Sequence, residues 1–309
     1  MKLKKVIALG MSVILTAVSL TACGGGTSTG SEGTAANTSS TPLIVSSKDF
    51  TESLVLGEVY ALAFEDAGIK VERKLNLGSS LVHDAIVNKQ IDFYVDYTGT
   101  GYLTDLGKEA ISDAQKVYDT VKEEFEKQWQ ITWLTPSNVN DSEGMFMLKS
   151  KADALNIHTY SDLWAHASEL KLGAFGEFYE NLYPKMKKVY GDVKFQKELT
   201  IDYALNFEAC RKGEIDVFNQ YSTNGQLSSG EFEQLKDDKN VWPPYYICPL
   251  IRDDALKNWP KAEEVANAIS ALLTTDDMIK MNKAVDVDGE DYEDVAADYY
   301  DSIKDKLPL

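Results

Sequence analysis

The chain has 309 residues, of which 44% are hydrophobic and 10% aromatic, enough apolar material for the cores of a two-domain globular protein. Its formal net charge of −18 argues against nucleic acid as a partner, because a phosphate backbone is bound by clustered Lys and Arg. An acidic, solvated surface is the plain interpretation of that charge.

The N-terminus has the order of a bacterial export signal. Three lysines, at positions 2, 4 and 5, precede the apolar run "VIALGMSVILTAVSL", and the segment "LTAC" ends at Cys23. A transmembrane helix is the alternative, but this run is short for a hydrocarbon core of ~30 Å and no polar stop follows it. We therefore expect residues 1–22 to be a signal peptide. "LTAC" resembles a bacterial lipobox, which implies a lipid anchor on Cys23.

A tether and two further cysteines follow. Residues 23–41 are almost entirely Gly, Ser, Thr and Ala, which predicts a flexible linker between the lipid and a soluble body. Only Cys210 and Cys248 then remain as thiols. An exported protein can pair them, but two unpaired buried thiols are an equal alternative, since their spacing favours neither.

The first part of the body alternates between strands and helices. "PLIVSS", "IKVERKLNL" and "IDFYVDY" are typical of strands, and the apolar spacing of "FTESLVLGEVYALAFEDAG" and "SSLVHDAIVNKQ" predicts helices between them. Strand, helix, strand, helix, strand is the pattern of a parallel α/β sheet.

The rest of the body predicts a second unit of the same kind. A polar amphipathic helix at 112–129 precedes a strand that begins at Glu143, and a second α/β unit begins at "TYSDLWAHASELKLGAF". Residues 241–252 read as a return strand, and the C-terminus is helical. We expect lobe 1 to comprise 42–144 and 248–309, lobe 2 to comprise 145–247, and two crossing strands to join them around a cleft.

One stretch of sequence occurs twice. "IDFYVDYTGTG", residues 91–101, is matched by "IDVFNQYSTNG", residues 215–225, and each copy carries a strand into a Tyr, a hydroxyl residue and a Gly. Tyr97 and Tyr221 are equivalent in the two copies, and Tyr245 follows two prolines that stiffen its backbone. Aromatic faces that converge across a cleft attract a quaternary ammonium group. Ordinary packing is the simpler interpretation of each tyrosine taken alone.

No pattern in the chain predicts catalysis or a metal site. His83, His158 and His166 lack an i, i+4 partner or a clustered Cys. "GSS" at Gly78 lacks the spacing of a nucleophile elbow, and "YTGTG" lacks the Lys-Ser/Thr of a phosphate-binding loop. We expect no catalytic residue, no metal and no cofactor.

The motifs together resemble a known family. "SSKDFTESLVLGEVYALAFEDAGIKVERKLNLGSS", the two repeats, "PPYY" and "MNKAVDVDGEDYEDVAADYY" are similar to the substrate-binding proteins of osmoprotectant importers in the ABC transporter superfamily, which carry glycine betaine, choline and carnitine. The resemblance runs from about Leu43 to the C-terminus. It implies a type II periplasmic-binding-protein fold that closes on its ligand like a hinged trap. It also implies a monomeric, lipid-anchored receptor outside the cytoplasm that serves a membrane permease and its ATPase.

The same resemblance implies a binding site. In that family a tyrosine cage holds the trimethylammonium head, and Tyr97, Tyr221 and Tyr245 match three of its walls. Lys48 of "SKDFTE" and Thr100 of "YTGT" match other polar contacts.

Two positions depart from the family pattern. Glu143 stands where a fourth tyrosine is expected, and Asn181 stands where the family has an Arg that grips a ligand carboxylate. A shift of one or two residues would place Phe146 or Tyr179 in the cage instead. Both departures make the pocket more negative, which favours a cation without a carboxylate, and so choline over glycine betaine. A solvated position at the cleft rim is the plain alternative for Glu143.

Other ligands and another class of protein stay open. Glycine betaine, carnitine or a bulkier trimethylammonium betaine such as ergothioneine would suit the same cage. A surface receptor or an enzyme that reuses the fold is the alternative outside transport.

Overall fold

The computed structural model describes residues 41–176 and 178–309, so Cys23 and the predicted signal peptide lie outside the described residues, as does the tether up to residue 40. Ten strands are assigned in this part of the chain: β1 Leu43–Lys48, β2 Val71–Leu77, β3 Phe93–Tyr97, β4 Ile131–Trp133, β5 Glu143–Leu148, β6 Lys171–Ala174, β7 Lys197–Thr200, β8 Val217–Tyr221, β9 Phe232–Gln234 and β10 Ile247–Arg252.

Helices connect and cover these strands. The α-helices of the described residues are α1 Thr51–Asp66, α2 Val82–Val87, α3 Thr98–Thr100, α4 Ala114–Trp129, α5 Lys149–Leu155, α6 Tyr160–Ala165, α7 Tyr183–Tyr190, α8 Asn206–Arg211, α9 Asp253–Asn258, α10 Lys261–Leu272, α11 Thr275–Asp286 and α12 Tyr292–Ile303. None of them is long and apolar enough to cross a membrane.

The first sheet has the strand order β2-β1-β3-β10-β4. β1 runs parallel to β2 and β3, which confirms the predicted parallel arrangement, whereas β10 returns antiparallel to β3 and β4. Every residue of the central strand β3 is buried, as expected for a strand with both faces of its sheet covered.

The second sheet repeats this plan with the order β7-β6-β8-β5-β9. Its central strand β8 runs parallel to β6 and antiparallel to β5, just as β3 runs parallel to β1 and antiparallel to β10. The duplicated sequence therefore supplies the central strand of both sheets.

The C-terminal helices return to the first sheet. α10, α11 and α12 all contact α1, whose side chains Val55, Val59 and Phe64 are fully buried in the same core as Met278 and Ile269. We call the first sheet with these helices the first lobe, and the second sheet with its own helices the second lobe.

Two extended segments join the lobes. The first crossing segment (residues 134–142) follows β4, and the second crossing segment (residues 235–246) precedes β10. They are hydrogen-bonded antiparallel: Ile247 N donates to Val139 O at 3.0 Å, and Asp141 N donates to Tyr245 O at 2.9 Å. The two-lobed fold with two crossing strands is thus confirmed, and the domain limits at 144/145 and 247/248 stay a prediction.

The two cysteines of the body are not paired. Cys210 is buried in α8 of the second lobe, and Cys248 is buried in β10 of the first lobe. Of the two alternatives that the sequence left open, the structure has the unpaired thiols.

Candidate ligand-binding site

The Ile-Asp pair of each repeat holds the beginning of a central strand. Asp92 accepts a backbone N–H from β1 at 2.8 Å and pairs with Arg252 at 2.5 Å. Asp216 accepts a backbone N–H from β6 at 2.7 Å and pairs with Lys151 at 2.5 Å. Each carboxylate therefore ties a central strand to its parallel neighbour, so this half of the repeat is architectural.

The hydroxyl residue of each repeat ties the other end of the strand to a crossing segment. Thr98 donates through its N–H and its hydroxyl to carbonyls of the second crossing segment, at 3.0 and 3.2 Å. Ser222 makes the same two bonds to the first crossing segment, at 3.1 and 2.9 Å. Because Tyr97 and Tyr221 immediately precede these residues, both rings are held where the lobes meet.

A cavity of about 810 Å³ lies at this junction. Five of the seven predicted ligand contacts line it, namely Tyr97, Thr100, Lys48, Tyr221 and Tyr245. These residues come from both lobes and the second crossing segment, so the structure brings together side chains that are up to 197 positions apart in the chain. Their role in binding stays a prediction.

Aromatic rings form several walls of the cavity. The Tyr97 ring lies 6.2 Å from that of Phe50, which also lines the cavity and was not anticipated from the sequence. Tyr221 is 42% exposed and stacks on Tyr203 at 5.5 Å. Tyr245 lies directly over Gly99, where a Cβ would come within 2.7 Å of its ring. Only glycine leaves room for that ring.

Carboxylates that sequence reasoning missed line the same cavity. Glu52, 4% exposed, accepts the Tyr97 hydroxyl at 2.6 Å. Asp141 accepts the Thr223 hydroxyl at 2.8 Å. Burial raises the pKa of Glu52, and burial together with the charge of Glu52 raises the pKa of Asp141 well above its ordinary value. Asp286 is a third acid in the lining.

The cation in this lining is already paired. Lys48 is 5% exposed and its ammonium lies 2.5 Å from Asp96 Oδ1. Asp96 also accepts the Tyr94 hydroxyl at 2.7 Å and the backbone N–H of Tyr97 at 2.7 Å. Among the described lining residues, three acids thus stand against one ammonium that a fourth carboxylate neutralises, so ionisation of these acids makes the cavity negative.

Glu143 is not part of the lining of the large cavity and lies in an adjoining pocket. It begins β5 opposite Tyr221, accepts from Asn219 Nδ2 at 2.8 Å, and lines an adjoining pocket of about 90 Å³ with Tyr221, Tyr245 and Asp141. Burial, followed by the charge of Glu143, raises the pKa of Tyr245 to about 12, so that phenol stays neutral. Glu143 therefore acts electrostatically on the walls.

The remaining predicted positions lie elsewhere or outside the description. Asn181 belongs to the short π-helix Phe178–Leu182, and its side chain is not among those described. Phe146 is buried against Phe218 in the second-lobe core, and the Tyr179 hydroxyl donates to backbone carbonyls at 3.0 and 3.3 Å. Neither ring lines the large cavity.

A separate group of possible metal ligands occurs on the second lobe. Asp153, His158 and Glu233 offer ligand atoms within 4.8 Å of one another, a grouping that spacing along the chain did not reveal. His158 Nδ1 lies 2.8 Å from Glu233 Oε1, and this hydrogen bond raises the pKa of His158. A half-buried imidazole-carboxylate pair accounts for the arrangement.

The chain is similar to known proteins over most of its length. Residues 41–302 match the family model described as the substrate binding domain of an ABC-type glycine betaine transport system. The carnitine transport binding protein OpuCC of Listeria monocytogenes is 32% identical over 242 residues, which cover 76% of this chain and 78% of that protein.

Two further proteins are similar to the chain. The ergothioneine transport permease/ergothioneine binding protein EgtU of Helicobacter pylori is 27% identical over 85% of this chain and 48% of its own length. A crystal structure described as a glycine betaine/carnitine/choline ABC transporter superimposes with a TM-score of 0.81 at 25% identity, covering 85% of this chain and 98% of that one.

Proposed function

The chain belongs to the family of substrate-binding domains of ABC-type glycine betaine transport systems, and we propose that it captures a quaternary ammonium compound, choline in preference to glycine betaine or carnitine. Members of this family bind and deliver a substrate outside the cytoplasm, so the chain is a transport receptor and not an enzyme.

One observation carries this proposal: tyrosine rings from both lobes border a cavity whose charged groups are mostly carboxylates. Tyr97, Tyr221 and Tyr245 reach it from two central strands and a crossing segment. A quaternary ammonium has no N–H to donate, so it is held by aromatic faces and by diffuse negative charge. Phe50 supplies a further face.

The charges favour an alcohol over a carboxylate as the other end of the ligand. Glycine betaine and carnitine carry a carboxylate, which needs a cation or several N–H donors when it leaves water. Lys48 is the cation in the described lining, and Asp96 already neutralises it. In their ionised forms Glu52 and Asp141 would repel a ligand carboxylate, whereas the hydroxyl of choline can donate to either of them.

The two departures from the family pattern support the same preference. Glu143 adds negative charge beside Tyr221 and Tyr245, with which it shares an adjoining pocket. Asn181, at the position of the carboxylate-gripping Arg, cannot supply a positive charge.

A larger betaine is the second candidate, and the size of the cavity favours it. A volume of about 810 Å³ exceeds what a trimethylammonium head and a two-carbon chain occupy, and polar groups such as Ser79, Ser80 and Thr104 line the remainder. The relative from Helicobacter pylori that is named for ergothioneine binding makes such a ligand the natural competitor to test.

A lipid anchor and a flexible tether would hold the receptor near a membrane permease. A lipid on Cys23 and the tether to residue 41 would keep it at the outer face of the membrane. There it would deliver ligand, as a monomer, to a permease driven by an ATPase.

A thermal-shift series tests the ligand class. A compound that binds the folded chain alone raises its melting temperature. Choline, glycine betaine, carnitine and ergothioneine are each titrated, with tetramethylammonium and ethanolamine as controls for the head group. We expect the largest shift with choline and a smaller one with ethanolamine, which lacks the methyl groups. A shift with none of the quaternary compounds would contradict the proposal.

A further inference from the structure

Asn282 connects the two lobes at the edge of the cavity. It lies on α11 of the first lobe and is 5% exposed. Its Nδ2 donates to Glu52 Oε2 at 3.0 Å within the first lobe and to the carbonyl of Thr223 at 2.9 Å in the second lobe. Both partners are acceptors, so only the amide nitrogen can face them, and the opposite orientation would set oxygen against two oxygens.

The backbone of the same helix touches the second lobe one residue further on. A Cβ at Gly225 would lie 2.5 Å from the N and Cα of Lys283. The short 3₁₀ helix Gly225–Ser229 therefore lies directly against α11. Gly225 has no positive φ, so an alanine there is strained by this contact and not by its own backbone conformation.

Hydrogen bonds continue from this junction to the walls of the cavity. Glu52 also accepts the hydroxyl of Tyr97, and Thr223 also donates its hydroxyl to Asp141. A path of direct bonds thus runs from an aromatic wall in the first lobe, through Glu52, Asn282 and Thr223, to the carboxylate of Asp141 in the first crossing segment. Any ligand that orders Tyr97 or Asp141 acts on groups bonded to this junction.

We infer that Asn282 is a positioning residue that couples an occupied cavity to closure of the two lobes. In an open form Asn282 keeps Glu52 but loses the Thr223 carbonyl, because these acceptors belong to different lobes. A bound cation fixes Glu52 in its ionised form, in which it can only accept, so the Asn282 nitrogen is held toward both Glu52 and Thr223 and the free energy of the closed form falls. The part of this inference that concerns the cation rests on the proposed function, whereas the link between the lobes does not.

Two variants separate the link from direct contact with the ligand. Asn282→Asp keeps the shape of the side chain but replaces the donor with an acceptor that faces two oxygens. Gly225→Ala leaves every lining side chain intact and obstructs the contact with Lys283. Asn267→Asp is the matched control, because Asn267 uses its oxygen to accept the N–H of Thr135, lies away from the cavity, and undergoes the same charge change.

Closure is measured as the distance between spin labels on the two lobes by double electron-electron resonance. The labels are placed at Asp294→Cys on α12 and Lys188→Cys on α7, both exposed, in a chain that also carries Cys23→Ala. Cys210 and Cys248 are buried and react slowly. We expect Asn282→Asp and Gly225→Ala both to shift the distribution toward the open distance, without ligand and at subsaturating choline, and Asn267→Asp to match the parent.

The same proteins are titrated with choline, carnitine and glycine betaine. Both variants should weaken every ligand that binds the parent by a similar factor, roughly three- to tenfold, because a lost interlobe hydrogen bond acts through closure and not on one ligand. A residue that only stabilised the fold would not weaken the binding of every ligand by the same factor at temperatures far below unfolding.

Several outcomes would overturn the inference. Parental distances and affinities in both variants would do so, and so would an effect of Asn282→Asp that Gly225→Ala does not share, since Asn282 would then be only a ligand contact. If Asn282→Asp fails to fold, Gly225→Ala decides alone. If the parent binds no choline, the proposed ligand is wrong, and the ligand-free distances still decide whether Asn282 links the lobes.

Discussion

The hydroxyl of Tyr97 donates a 2.6 Å hydrogen bond to Glu52, so the ring that faces the cavity is held by one of the acids that line it. A phenol that donates to a carboxylate becomes richer in electrons, which strengthens its attraction for a cation. The aromatic wall and the negative charge therefore act together.

The first prediction concerns the aromatic walls. Tyr221→Ala should weaken choline binding by about 0.5 to 2 kcal/mol, because a face of the cage is lost. Since Tyr221 is 42% exposed, we expect little change in the free energy of unfolding. Tyr97→Phe should have a smaller effect, since the ring remains and only its bond to Glu52 is lost. Tyr292→Ala, outside the cavity lining, is the control. Calorimetry that finds full affinity in both cage variants would show that the repeat is only architectural.

The second prediction concerns protons. Burial raises the pKa of Glu52, and burial with the charge of Glu52 raises that of Asp141. A permanent cation beside them favours their ionised forms, so the empty cavity binds more protons than the occupied one. Choline affinity should rise as pH rises from the ordinary carboxylate range through the raised pKa values, with proton release on binding. Calorimetry in buffers of different ionisation enthalpy measures the number of protons released. Asp141→Asn should reduce that number. Binding heats that do not depend on the buffer would contradict the linkage.

The third prediction concerns stability near the cavity. Burial, and next the charge of Asp96, raises the pKa of Asp105 to about 7. An acid whose pKa is higher in the folded than in the unfolded protein contributes stability that is fully present below its pKa in the unfolded protein. That stability is lost as the pH rises through its pKa in the folded protein. Asp105→Asn should therefore raise the melting temperature at pH 8, by the equivalent of about 1 to 3 kcal/mol, and the gain should shrink toward pH 4. An equal difference at both pH values would show that Asp105 is not protonated in the fold.

The fourth prediction concerns the anchor. If Cys23 is acylated, radiolabelled fatty acid should enter the protein in its native host, and Cys23→Ala should abolish the label. Cys210→Ala is the control, because that thiol is buried in the second lobe. Equal labelling of the parent and Cys23→Ala would place the lipid elsewhere or exclude it.

The sequence predicted the scaffold well for a physical reason. Strands β3 and β8 each follow the same Ile-Asp pair, begin with apolar residues and end at a Tyr. Local patterns of this kind depend on residues only a few positions apart. Tyr97 and Tyr221 could therefore be placed at the cleft before the fold was known.

The contacts of the buried charged and polar side chains could not be predicted in this way. Glu52 and Asn282 are bonded to each other across 230 positions, and no local pattern signals such a contact. Lys48 reads as a cation available to a ligand until its partner Asp96 is seen, 48 positions away. Asp141 lies two residues before Glu143, and this proximity was the only indication in the sequence that it belongs to the site. Which of these acids reaches the large cavity depends on the course of the first crossing segment.

The preference for choline over glycine betaine is the central claim, and a calorimetric titration of both ligands into the wild-type chain tests it most directly. A ligand carboxylate here gains no free cation and meets Glu52 and Asp141. The loss of one charge-assisted contact is worth ~1.5 to 3 kcal/mol, about tenfold to a hundredfold in affinity. We predict that choline binds at least about tenfold more tightly than glycine betaine at pH 7.5, and equal or tighter binding of glycine betaine would contradict the account.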